Sequence, residues 1–403
     1  MIEISKRSII FLIIAALLLG SAGTILILRG GAGGSVLVDS ERYEKMSALE
    51  DEYEKMDEIK EFLVNNYYTE VDGDKLMESA YYGLVDGLED KYSEYISAKD
   101  YSAYLESLFG TETYYGVGIT FLNQPIESGF YVIAVNTKGP AYAAGVRKGD
   151  IIVSVNGESA LSYDGDGLRD HIRGELGTSV TIGLLRGETS YEVEIERAEI
   201  PTESVVYEML DDGIAYIQIS EFIGDTGKDF TAALKKAEQA GAKGLIIDLR
   251  DNGGGLVSSA ISVADDLMDK GVVVSTINHS GKTSTYTTGN GRTELPYVVL
   301  INGNTASASE ILSAGIQDNK EGTIIGTLSF GKGIIQNVTT LSDGSAVKYT
   351  ELQYLSPNGN PIHGVGITPD IEIDLTEDCY DKNGFLVNDV QLEKAKEILK
   401  EGF

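Results

Sequence analysis

Ile301 to Gln336 reads INGNTASASEILSAGIQDNKEGTIIGTLSFGKGIIQ. The apolar residues before it, Tyr297 to Ile301, read as a strand that ends in a polar turn, and a helix follows from near Thr305 or Ser307. A glycine-rich turn at Gly331-Lys332-Gly333 then leads into another strand. A hydroxyl and an amine thus stand on the two turns of one strand-helix-strand unit, and Ser307 and Lys332 are the candidate nucleophile and base. Residue types alone leave a second reading open. Ser307-Ala308-Ser309-Glu310 also has the form of a helix capping box, whose side chains satisfy free backbone donors, and a lysine between two glycines is an ordinary solvated turn residue.

Working outward, Leu245 to Arg250 (LIIDLR) is a short apolar run that fits a strand buried on both faces of a parallel sheet. It empties into Asp251-Asn252-Gly253-Gly254-Gly255, followed by a helix from Leu256 to Met268. Strand, glycine turn and helix start bring backbone N–H groups toward a developing negative charge, although such a turn can equally be only tight. Ile214 to Ile219 reads as a strand and Thr226 to Gln239 as an amphipathic helix. Strands at Val338 to Leu341 and Ala346 to Leu355 are expected to complete the sheet. The last helical pattern, Asp389 to Leu399, is expected to dock on the core.

The segments TASASEI, SFGKGIIQ, IIDLRDNGGG and GNPIHGVGITPDI resemble the carboxyl-terminal processing (tail-specific) peptidase family, over a span from about Tyr67 to the C-terminus. The resemblance implies that Ser307 is the nucleophile, that Lys332 is the base and that Gln336 supports the lysine. It also implies an oxyanion hole at the Gly254 amide, to which the Ala308 amide is the second candidate donor. Two departures stand out. The family turn Asn-Pro-Gly-Gly has Gly253 in place of proline, and where the family has Asp-Pro before Tyr-Ser this chain has Asp90-Lys91, a change of turn to which the sequence attaches no chemistry. His363, in the GNPIHGVG loop, reads as a turn residue.

Tyr114 to Arg197 looks like a PDZ domain. It carries YYGVGI at its start, GPAYAAGVRKGDIIVSVNG from Gly139 to Gly157, and then a strand-rich tail. In such a domain a short glycine loop points N–H groups at a free carboxylate while the next strand edge pairs with the extended peptide. Gly116, Val117, Gly118 and Ile119 fill those positions. Capture of protein C-termini with apolar final residues follows from the resemblance.

Ile9 to Leu28 carries no charge, follows Lys6 and Arg7, and is long enough to span a bilayer as a helix. The basic flank places the N-terminus in the cytoplasm and the rest outside. A cleaved signal is the alternative, with Gly20-Ser21-Ala22 as a small-residue site, but the apolar run resumes at Ile25. Gly30 to Ser35 is a flexible linker by composition. From Val38 to about Asn66, Tyr43, Met46, Leu49, Tyr53, Met56, Ile59 and Leu63 recur at helical spacing. This apolar stripe on a charged helix points to a dimer contact, to which the resembled family's N-terminal helices often contribute; a solvated stalk is the alternative. A second helix is expected over Asp74 to Glu89.

The chain has 403 residues and a formal net charge of −31, with a pI near 4.4. Its length predicts more than one domain, and its acidity argues against nucleic acid, which needs clustered Lys and Arg. The single cysteine, Cys379, excludes an intrachain disulfide, and no Cys/His cluster has metal-ligand spacing. His171, His279 and His363 form no HExxH pattern. Gly326 to Gly333 nearly matches a P-loop but has Gly333 where the Ser or Thr must stand. Ser329-Phe330-Gly331-Lys332 is formally S-x-x-K, yet the chain has neither S-D-N nor K-T-G. Acyl transfer on peptidoglycan lacks its motifs for the same reason.

The expected architecture is an α/β crotonase-like peptidase core with an inserted, mostly β PDZ domain, an N-terminal helical region and one N-terminal transmembrane helix. The boundaries are 1–29 for tip and anchor, 30–37 for the linker, 38–110 for the helical region, 111–198 for the PDZ domain and 199–403 for the core. The expected function is a membrane-anchored serine endopeptidase that cleaves extracytoplasmic proteins after PDZ recognition of their C-termini, with no cofactor and no metal. The competing class is a PDZ scaffold with a gated or inactive core.

Overall fold

Five apolar runs of the C-terminal half stack side by side because each can bury both faces. Val205–Met209, Ile214–Ile219, Gly244–Asp248, Tyr297–Ile301 and Thr323–Gly326 form a six-stranded sheet in this order, with Ile371–Glu372 at its far edge. The first pair is antiparallel and all later pairs are parallel. Period-two alternation divides the side chains between two layers. Ile217, Ile247 and Val299 pack under the helices Thr226–Gln239, Val257–Leu267 and Ala308–Asn319. Ile214, Ile246, Val298 and Leu300 pack against Ala395 and Leu399 of the last helix, Val390–Glu401, so that helix docks as expected.

The computed structural model describes residues 40–109, 114–289, 291–382 and 384–402. The expected anchor at Ile9 to Leu28 and the linker 30–37 lie outside them. Among the described residues no helix is long and apolar enough to cross a membrane. Two units emerge, Met1–Tyr81 and Tyr82–Phe403. In the first, helix Ser40–Asn66 buries no residue: of its apolar stripe Tyr43, Met46, Leu49, Tyr53 and Ile59 are exposed, while Met56 and Leu63 are half-buried. The second expected helix is Gly73–Asp86.

One expectation is corrected. The strands after Lys332, Ile334–Thr340 and Ala346–Leu355, do not extend the central sheet. They belong to a second sheet, antiparallel throughout, with Val272–Asn278, Thr283–Thr287 and the short Glu94–Ile96. The Gly-Lys-Gly turn is therefore where the chain leaves one sheet for the other.

The expected PDZ segment has its own core, built on Phe130, Ile152, Leu168, Ile182 and Leu184. Its sheet runs Ile119–Phe121, Phe130–Val135, Ile151–Val155, Ser179–Arg186, Thr189–Glu196, so Ile119–Phe121 is an edge. Tyr114–Gly116 pairs with Ala198–Ile200 where the chain enters and leaves this lobe. Lys138 pairs with Asp229 of the core at 3.2 Å, and the rings of Tyr131 and Phe385 stack at 4.0 Å.

Candidate active site

Ser307 caps the buried helix Ala308–Asn319 with φ 56° and ψ −116°. A non-glycine residue pays for such a backbone, of order 1–3 kcal/mol, unless its surroundings hold it there. They do. Ala306 N–H donates to the Asn252 carbonyl at 3.0 Å, and Ser309 Oγ donates to the same oxygen at 3.1 Å. Asn252 is itself fully buried and its Nδ2 donates to the Ile219 carbonyl at 2.9 Å. The serine turn is thus pinned to the glycine turn of the neighbouring strand.

Of the capping box read from the sequence, the Glu310 half forms, while Glu310 N–H donates to the Ser307 carbonyl at 2.9 Å; Glu310 also does more than cap. Its buried carboxylate accepts from the N–H groups of Ser307 at 2.9 Å and Lys332 at 2.8 Å through Oε2. Oε1 accepts from Gly331 N–H at 2.7 Å and Ser329 Oγ at 2.5 Å. The serine and lysine turns therefore hang on one side chain. Tyr354 adds a second tie: its hydroxyl lies against the Ser307 carbonyl at 3.0 Å and against the Lys332 carbonyl. Burial pushes the Tyr354 phenol up, so it remains a donor.

Lys332 is half-buried, and burial is the first cause that moves its amine below the ordinary lysine range; Lys348 and Lys91 add to this, while Asp90 and Glu310 oppose it. Its Nζ lies 4.5 Å from the centre of the Tyr92 ring. Among the described residues no hydrogen bond joins Lys332 Nζ to Ser307 Oγ. Phe330, two residues before Lys332 in the turn, is 52% exposed.

The remaining predicted residues divide. Gly254 lies directly against Ser307: a Cβ built on it would stand 2.8 Å from Ser307 Cβ and 2.9 Å from Ala308 N. Its N–H, however, donates to Asn252 Oδ1 at 2.8 Å. Ala308 N–H, at the first position of the helix, has no acceptor among the described residues, as expected at a helix start. Gln336 is not on Lys332; Nε2 donates to Thr350 Oγ1 at 3.3 Å, and Thr350 Oγ1 donates to Asp90 Oδ2 at 2.6 Å. A bulge between Ile335 and Gln336 shifts the register at that point. His363 sits in the loop packed on Gly333.

In the smaller lobe, Val117 and Gly118 are buried, and their N–H groups have no acceptor among the described residues. Gly118 has φ 79°, which lets the loop turn into the edge strand beginning at Ile119. Helix Gly165–Ile172 lies alongside, with Arg169 Nη2 donating to Asn123 Oδ1 at 3.2 Å just beyond that strand. Gly116 pairs with Ala198. Among the described residues no His, Cys, Asp and Glu group could hold a metal ion.

Sequence reasoning missed Asn252, Tyr354 and the Asp90–Tyr92 turn, and gave Glu310 only a local role. The capping-box spacing pointed to Glu310. Asn252 and Asp90 stand in turns that the sequence marks without a role for these side chains, and nothing local points to Tyr354.

Comparison with known proteins agrees with this anatomy. Residues 213–373 match the profile of peptidase family S41, residues 131–186 that of a PDZ domain, and residues 19–100 that of the activating protease CtpB N-terminal domain. The chain is similar to the "Probable CtpA-like serine protease" of Staphylococcus aureus (strain COL), 33% identical over 324 residues, which are 79% of this chain and 64% of that protein. It is equally similar to the protein of that name from Staphylococcus epidermidis (strain ATCC 35984), 33% identical over 323 residues, 79% of this chain and 65% of the relative. The chain thus spans just under two thirds of the length of these relatives. Among solved structures it shares the fold of the "Putative S41 protease from Bacteroides fragilis NCTC 9343", with a TM-score of 0.54 at 16% identity, covering 84% of this chain and 92% of that one.

Proposed function

Since the chain belongs to the carboxyl-terminal processing serine peptidase family with a PDZ domain, we propose that it is a serine endopeptidase that works through a Ser307-Lys332 dyad. The observation that carries this reading is the shared Glu310 oxygen, which fixes the backbones of both residues at one point. Neutral Lys332 takes the Ser307 proton, the alkoxide attacks the scissile carbonyl, and the lysine then protonates the leaving amine. The free N–H of Ala308 is the first oxyanion donor; Gly254 joins it by sharing or releasing Asn252. Gln336, through Thr350, supports the strand that follows the lysine.

The lobe with the free Val117 and Gly118 N–H groups binds the carboxylate of a protein substrate, and the edge strand at Ile119 pairs with the residues before it. Apolar C-termini suit it best. The protein is held at the cell membrane by Ile9 to Leu28, with the catalytic part on the extracytoplasmic side, and its exposed N-terminal stripe pairs two copies; these points rest on the sequence pattern.

A second reading, a PDZ scaffold whose core is gated or inactive, draws support from the Lys332 amine, which lies on Tyr92 with no bond to Ser307. One experiment separates the two. The full chain in mild detergent, and its Ser307→Ala and Lys332→Ala variants, are incubated with an unfolded protein bearing an apolar C-terminus, and cuts are located by mass spectrometry. Cleavage abolished in both variants, and weakened when the substrate C-terminus is amidated, is the expected result. Carboxylate-dependent binding with no cleavage favours the scaffold.

A further inference from the structure

The turn Asp90-Lys91-Tyr92 lies far from Lys332 in sequence and beside it in space. Its ring, Tyr92, carries two amines: Lys332 Nζ at 4.5 Å and Lys91 Nζ at 4.9 Å from the centroid. Lys91 Nζ also lies 5.6 Å from the Phe330 ring. Asp90 anchors the turn, accepting from Tyr92 N–H at 3.0 Å, Ser93 Oγ at 2.7 Å and Thr350 Oγ1 at 2.6 Å. Through Thr350 it reaches Gln336 on the strand that leaves the lysine turn.

We propose that this turn is the positioning element of the Lys332 amine, with the Tyr92 ring as its seat and the charges of Asp90 and Lys91 acting on it in opposite senses. The inference rests on Lys332 being the base. A ring face attracts an ammonium, so Tyr92 holds the side chain in one place. Asp90 favours the charged amine and Lys91, on the same ring, disfavours it. Burial alone would raise the Asp90 carboxyl, but its hydrogen bonds from Ser93, Thr350 and Tyr92 outweigh this and hold it below the usual range, so it stays a carboxylate. The other charged groups acting on the amine are Lys348 from the strand Ala346–Leu355 and Glu310 from the serine helix; Tyr354 holds the Lys332 carbonyl, and His363 acts on Asp90.

The test is the pH dependence of kcat/KM for the full chain and for Asp90→Asn, Lys91→Gln and Lys91→Glu, with thermal melting as a check on folding. Only neutral Lys332 reacts, so the acid limb reports its protonation. Asp90→Asn moves that limb to lower pH and Lys91→Gln to higher pH, each by about 0.3–0.7 pH unit, with Lys91→Glu beyond Lys91→Gln. High salt shrinks the shifts. A purely structural turn would lower activity without moving the limb in two directions. Should Asp90→Asn melt early, the Lys91 pair decides alone, since Lys91 is exposed and its amine lies over the Tyr92 and Phe330 rings. Limbs that coincide with the parent overturn the role of the turn while the dyad stands. Cleavage that survives Lys332→Ala overturns the dyad and this inference together.

Discussion

Ser307 and Lys332 donate their backbone N–H groups to a single oxygen, Glu310 Oε2, at 2.9 and 2.8 Å. The two backbone nitrogens are thereby within two hydrogen-bond lengths of each other, although one residue opens a helix and the other leaves the central sheet for the second one. Fixing the backbones leaves only side-chain rotations between the hydroxyl and the amine. For the proposed Ser307-Lys332 dyad, this arrangement fixes at the backbone part of what a triad fixes through its third side chain.

Glu310→Gln is nearly isosteric, but its amide can accept on only one side. Two of the four donors now held by the carboxylate would then face an NH2 group in a buried site. The expected cost is about 2–4 kcal/mol in urea unfolding. The turns also drift, and kcat falls about 100-fold with a smaller change in KM. Unchanged kcat with lowered stability would make Glu310 a helix cap and nothing more.

Tyr354→Phe tests the other tie. Ser307's carbonyl still receives the N–H groups of Glu310 and Ile311, whereas Lys332's carbonyl loses the hydroxyl it accepts from. The expected effects are about 1 kcal/mol of stability and about 10-fold in kcat, smaller than for Glu310→Gln. Equal losses from the two variants would mean that the carbonyl side matters as much as the N–H side.

Much of the core is legible in sequence because its strands are buried on both faces. Leu245 to Ile247 and Tyr297 to Ile301 are unbroken apolar runs, and length and flanking turns are enough to place them. The same logic fails for Ile334–Thr340, half-exposed on an outer sheet, where pairing depends on distant strands and not on its own pattern. Ser307, Lys332 and Gly254 stand in local motifs that the sequence displays, and the structure brings their turns together. Gln336 was carried over by spacing from the lysine, but the bulge before it sends its amide to Thr350. Asp90 reaches Thr350 across 260 residues of chain, and no local pattern encodes a contact of that span.

The glycine turn offers a paired comparison. Gly254 has φ 102°, and an added Cβ would stand 2.7 Å from the Ala306 carbonyl oxygen, 2.8 Å from Ser307 Cβ and 2.9 Å from Ala308 N. Gly254→Ala should cost about 3 kcal/mol or more and abolish cleavage by displacing the nucleophile. Gly253, where the resembled family has proline, has no atom within 4 Å of its would-be Cβ, and its φ is not positive. Gly253→Ala should leave activity within a few-fold and add about 0.4–1 kcal/mol by restricting the unfolded chain. Thermal melting and cleavage assays on the two variants check both halves.

Lys332 should make the protein less stable than it need be. Burial is the main cause that lowers its folded-state value from the ordinary 10.5. Below that lowered value the folded protein carries a partly buried ammonium, and the full penalty is present. Between it and 10.5 the unfolded chain binds more protons than the folded one, so stability rises with pH across this window. Lys332→Met keeps the length of the side chain and removes the charge. At neutral pH the variant should melt about 1–3 °C above the parent while losing all cleavage. The gap should close as pH climbs through the window, and kcat/KM of the parent should rise as pH approaches the lowered value from below and level off above it, because the neutral amine is the reactive form. A gap that stays constant from neutral to alkaline pH would show that the stabilisation comes from packing, and would remove the support that burial gives to Lys332 as the base.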